Sequence, residues 1–265
     1  MTDKPSKKAN YNDILASVAE LNKQQIIDIY VPSINDNVKF KPLTVKQQKR
    51  ILSSGLDMEL EKLSFSNTIN ELITENCLAG ANNIRITDKP MIMLQLRQRA
   101  IGDKLTVTEG DSKFEIDLSE HIEVVKNKLN TQINPQFNVE LQGVTITGET
   151  PDLKTDTKFN KLFAKTVKRG KSGELSLNDL VGDIYVHEMV KYVKSITINE
   201  IELAIDESIT ADQVIKVFES LPMQISSKVT QEIKKLRENE IISISHDSLP
   251  VDTQITLDVS LFTDE

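Results

Sequence analysis

The segment that most constrains this chain is Val38–Leu52, VKFKPLTVKQQKRIL. Val38 and Phe40 alternate with lysines, the period of a strand with one apolar face, and Pro42 extends that side. Pro42 also fixes its own φ and holds the residue before it extended. Thr44 and Gln47 then form a capping box. The Thr hydroxyl accepts from the backbone N–H three residues on, and the Gln amide reaches back. A helix follows to about Ser54, where Gly55 offers a stop. Ile51 and Leu52 turn it onto a core, and Lys46, Lys49 and Arg50 are expected to form its solvated face. Strand, bend and helix start are thus dictated by residues that carry no chemistry.

Similar signals recur along the 265 residues. Ile14, Leu15, Val18 and Leu21 make one apolar helical face. IIDIYVP (26–32), the turn SINDN and VKFKPL predict a first hairpin. Further helices are expected at 67–78, at 88–101 behind Asp88 and Pro90, and from Ser119 to about Leu129. KLTVTEGDSKFEIDL (104–118) predicts a hairpin, and FNVELQGVTITG (137–148) has strand character. In the second half, 155–170 and a Ser176-capped segment through Lys194 read as helices. SITINEIELAID (195–206) reads as a hairpin around Asn199-Glu200. Thr210 and Gln213 make a second capping box, a helix follows Pro222, and short strands are expected at 241–245 and 253–259.

The expected fold is α+β, with an N-terminal half of hairpins and helices and a helix-rich C-terminal half ending in short strands. Residues 1–10 read as a flexible tail, 11–148 as a mixed α+β region and 155–265 as a helix-rich region. Residues 148–155 form a candidate linker, with one continuous domain as the alternative. Aromatics are 5% of the chain and Trp is absent, so the core rests on Leu, Ile and Val.

Tests for chemistry return little. Cys77 is the only cysteine, which excludes an intramolecular disulfide and a thiolate zinc site, and its helical position reads as core. HEMVK at 187–191 has Lys191 where a zinc helix needs its second His. RGKSG at 169–173 lacks the glycine a phosphate-binding loop needs, since position 165 is Lys. No Gly-x-Ser-x-Gly elbow occurs. DSLPVD (247–252) reads as a solvated turn. No catalytic residue, cofactor or metal is expected, although a constellation of distant residues stays open. The N-terminus lacks a secretory h-region and no apolar run reaches a membrane span, so synthesis and folding in cytoplasm are expected.

Charge is distributed unevenly. The net charge is -8, which argues against broad nucleic-acid binding. Yet residues 154–171 hold seven basic groups against one acid, Asp156, while 174–265 hold 18 acids against 7 bases. Lys158, Lys161, Lys165, Lys168 and Arg169 are therefore candidate partner-docking residues for an acidic chain. The alternatives are a solvated face, free or docked on the acidic C-terminal region, and a surface for nucleic acid or an anionic membrane.

With its segments in order, the chain resembles the baseplate hub family of contractile-tailed phages of the T4 type. YVPSINDNVKFKPLTVKQQKRILSSG looks like that family's F-[RK]-P-[FL]-T-V-[KR] entry. KVFESLP (216–222) and the ending ITLDVSLFTDE (255–265) match in order, with Leu261 in place of an aromatic. The resemblance implies a non-enzymatic part in building the virion tail baseplate. The implied partners are other hub, spike, tube or tape-measure proteins, with homo-oligomerisation by ring symmetry. It leaves open two roles: a structural subunit, or a cytoplasmic assembly chaperone absent from the mature particle.

Overall fold

A computed structural model describes residues 10–55, 61–109, 112–130, 135–205, 209–237 and 259–262. Helix α1 (Tyr11–Gln24) leads into the hairpin β1 (Ile27–Val31) and β2 (Asp36–Phe40). Helices α2 (Val45–Ser54), α3 (Glu61–Asn76) and α4 (Lys89–Ile101) follow. A second hairpin, β3 (Lys104–Glu109) and β4 (Ser112–Asp117), precedes α5 (Leu118–Asn130). The rest is β5 (Gln136–Leu141), β6 (Val144–Glu149), α6 (Leu153–Lys171), α7 (Leu177–Val190), β7 (Val193–Ile198), β8 (Ile201–Ala204), α8 (Ala211–Glu219) and α9 (Met223–Arg237). The fold is α+β, as expected.

The capping boxes form as read. Thr44 Oγ1 accepts from the Gln47 backbone at 3.3 Å while Gln47 accepts from Thr44 N at 3.0 Å. Thr210 and Gln213 repeat the arrangement at the start of α8. Asp88 stands at the N-cap position of α4 with Pro90 in the first turn, as read, but its side chain makes no cap bond. It is buried and accepts instead from Ser33 N, Ser33 Oγ and Arg85 N, tying the first hairpin to the α4 entrance. Other boundaries shift. The α5 start lies one residue before Ser119, whose N–H is capped by Asp117. Helix α7 ends at Val190, because Tyr192 and Val193 are buried and Val193 begins a strand. The strand predicted at 241–245 and nearly all of that at 253–259 lie outside the described residues; Val259–Phe262 is a 3-10 turn.

Two apolar clusters form the core. The first joins β1, Phe40, Ile51, α3, α4 and Leu105 with Leu261 and Phe262 from the far end of the sequence. The second lies under an antiparallel meander, β5-β6-β7-β8, covered by α8 and α9. The pairing of β6 with β7 spans α6 and α7 and has no local sequence signal. Among the described residues, three tight turns carry positive φ at non-glycine residues: Asn35, Gln142 and the pair Asn199-Glu200.

The clusters interlock. Ile86 precedes α4 yet belongs to the second; Leu153 opens α6 yet belongs to the first. Residues 148–155 lie at this junction. Arg85 donates to the Thr150 carbonyl and pairs with Glu149, and the Ile86 N–H donates to the Pro151 carbonyl. The apolar stripe of α1 faces outward instead. Ile14, Leu15, Val18 and Leu21 are 47–53% exposed, and no residue of α1 is buried.

Candidate partner-docking groove

Helix α6 is anchored before it presents anything. Asp152 caps it, accepting from Thr155 N at 2.7 Å. Phe159 and Asn160 point inward and are buried. So is Asp156, the one acid in the basic segment. Its Oδ2 accepts from Lys89 Nζ at 2.9 Å and Asn70 Nδ2 at 2.9 Å, and Lys191 Nζ lies 3.5 Å from Oδ1. Burial alone would raise its pKa, but the two ammonium groups and the Asn70 amide hold it at about 2. One carboxylate thus joins α3, α4, α6 and the end of α7.

With its inner face fixed, α6 turns its lysines outward at 154, 158, 161 and 165, a stripe at i, i+4, i+7 and i+11. They form one wall of a groove of about 1300 Å³. The opposite wall is α3 through Asn70, Glu71, Thr74 and Glu75, and the end is closed by Ile209–Asp212 at the start of α8. Its apolar lining comes from Leu153, Leu162, Ile209, Ala81 and Ala211. Asn70 and Thr157 line the groove and are joined by a 3.0 Å hydrogen bond, so the Asp156 network lies directly beneath.

The walls differ electrostatically. Glu71 and Glu75 are held by Arg50, at 2.6 and 2.8 Å. Burial opposes ionisation of Glu75, but hydrogen bonds from Arg50 and Gln47 outweigh it and lower its pKa. Arg50 is 34% exposed, on the outer face as expected, and its pairs with Glu71 and Glu75 tie α2 to α3. Asp152 is engaged in its cap. Among the described residues, Lys158, Lys161 and Lys165 have no carboxylate within ion-pair distance.

Three of the five candidate docking residues thus line one groove. Lys168 and Arg169 lie beyond it, and Arg169 pairs with Glu174 at 3.5 Å. Sequence reasoning missed the Asp156 network. The available signal was position: Asp156 stands three residues before Phe159, on the inward stripe of an otherwise basic helix.

The remaining chemical groups are scattered. Cys77 is buried, its thiol donates to the Gly80 carbonyl, and burial raises its pKa. His121 and His187 are buried in different helices, and His246 lies outside the described residues. Among the described residues, no three His, Cys, Asp or Glu side chains gather as metal ligands, and no helix is long and apolar enough to cross a membrane.

No curated protein and no solved structure matches the chain. The family described as T4 bacteriophage base plate protein matches residues 23–246, which takes in both hairpins, the sheet and the groove. The chain belongs to that family.

Proposed function

We propose that the protein is a non-enzymatic structural subunit of the baseplate hub in a contractile phage tail, and that it acts by docking other tail proteins against α6. The family match supports the baseplate role. The observation that carries the docking reading is the groove, where three lysines without acidic partners among the described residues border an apolar lining. Such a border steers an acidic chain and fixes its register, while the apolar lining supplies most of the affinity. Hub, spike, tube and tape-measure proteins are the partners to test.

Two measurements test this reading. Mass spectrometry of purified tails should find this chain at fixed stoichiometry with the baseplate proteins. Its absence from particles, with presence on assembly intermediates, would replace the subunit reading by that of a cytoplasmic assembly chaperone. Joint reversal of Lys158, Lys161 and Lys165 to Glu should weaken the partner complex at least tenfold while the melting temperature holds. An unchanged complex would remove α6 from the interface.

A further inference from the structure

We infer that the groove receives a single amphipathic helix from a different tail protein, with an apolar stripe against the groove lining and a row of Asp or Glu along the flank facing α6. This rests on the docking reading and specifies the occupant. The walls set the shape. Helices α3 and α6 border a channel with apolar lining, the surface into which a third helix packs its side-chain ridges. From Lys154 to Lys165 the α6 wall runs roughly 16 Å, at 1.5 Å per residue. That accommodates about three helical turns, enough for anchors at i, i+3 or i+4, and i+7.

The charge pattern sets the sidedness. Glu71 and Glu75 are already answered by Arg50, and Asp152 by the α6 N-terminus. Asp212 sits in the first turn of α8, where the helix dipole favours it. Lys158, Lys161 and Lys165 opposite have no such answer among the described residues. The α6 lysines recur at i, i+4, i+7 and i+11, so a helix laid alongside meets them best with acids at the same spacing. An unstructured acidic segment would satisfy the lysines but leave Leu162 and Ile209 uncovered.

The apolar stripe of α1 in a second copy is the competing occupant. Its acids answer too little of the wall: α1 carries only Asp13 and Glu20, about 110–130° round the helix from the middle of the Ile14, Val18 and Leu21 stripe, so they could reach at most two of the lysine positions.

Site-specific photo-crosslinking within the full chain tests the inference. A photoreactive residue replaces Leu162 or, separately, Thr157, and complexes from tail assembly are irradiated and sequenced by mass spectrometry. The expected product is a crosslink to a segment of another tail protein with helical apolar spacing and at least two acids on one flank. Reversing those acids to Lys should restore binding to the variant in which Lys158, Lys161 and Lys165 are Glu. Crosslinks to a strand or loop, to Tyr11–Gln24 of a second copy, to nucleic acid, or to nothing would each overturn the inference. If the lysine reversal still weakens the complex in those cases, docking at α6 stands and only the helical occupant falls.

Discussion

At the scale of single residues, Asp156 decides most. Its side chain is 4% exposed and faces Lys89 and Lys191, 13% and 9% exposed. Removing it leaves two ammonium groups in a poorly hydrated place, and breaking such a pair costs about 3–5 kcal/mol. Asp156→Asn should therefore lower unfolding stability by that order in urea at pH 7. The pH dependence has a defined sign. The folded pKa, about 2, lies below the usual 3.8, so the contribution is fully present above pH 4 and is lost as pH falls toward 2. The difference corresponds to about 2 kcal/mol at 1.36 kcal/mol per unit. Stability of the wild type should fall between pH 4 and 2, and the Asn variant should lack this component. Equal slopes in both proteins would show that other carboxylates carry the acid sensitivity. Gly148 is the second such residue. A Cβ there would stand 2.2 Å from the Phe137 ring and 2.6 Å from the Tyr192 carbonyl oxygen. Gly148→Ala should cost about 1–3 kcal/mol in the same assay, the range for overpacking.

At the scale of elements, agreement between sequence and structure follows how local each cause is. Caps at Thr44, Ser176 and Thr210 and the Asn199-Glu200 turn act over three or four residues, and each stands where the sequence places it. The β6–β7 pairing acts across 43 intervening residues and left no local trace. The groove was half legible. The lysine stripe could be read, but its apolar lining comes from separate segments that only the fold brings together. The turn invites a test, since Glu200 at φ 70° pays the left-handed backbone cost that glycine avoids. Glu200→Gly should raise stability by about 0.5–1 kcal/mol in thermal melts; a loss would mean the Glu200 side chain contributes more than its backbone costs. Helix α1 marks the opposite case. Its period is clear, yet periodicity reports amphipathicity and not what covers the face. Ile14→Ser with Leu21→Ser should therefore change stability by no more than about 0.5 kcal/mol. A larger loss would show that the stripe is covered in the folded chain.

At the scale of the whole molecule, the chain closes on itself. The N-terminal strand-Pro-helix motif and Leu261-Phe262, read from opposite ends of the sequence, meet in one core. Gln48 on α2 donates to the Phe262 carbonyl at 3.1 Å, and Arg97 on α4 donates to the Leu261 carbonyl at 3.3 Å. Phe262 is fully buried among the residues that hold β1, α2 and α4. Two clusters that exchange Ile86 and Leu153 and share the Asp156 network should unfold together, because neither can lose its partner without stranding buried charge. Phe262→Ala opens a cavity in the first cluster and should cost about 3–5 kcal/mol. If the clusters are coupled, the loss should appear as one shifted transition, the same by far-ultraviolet circular dichroism and by a fluorescent label on the exposed face of α9 in the second cluster. Two separated transitions, with the label reporting the later one, would show that the groove lies between independently stable halves, and its width would then be free to change when a partner binds.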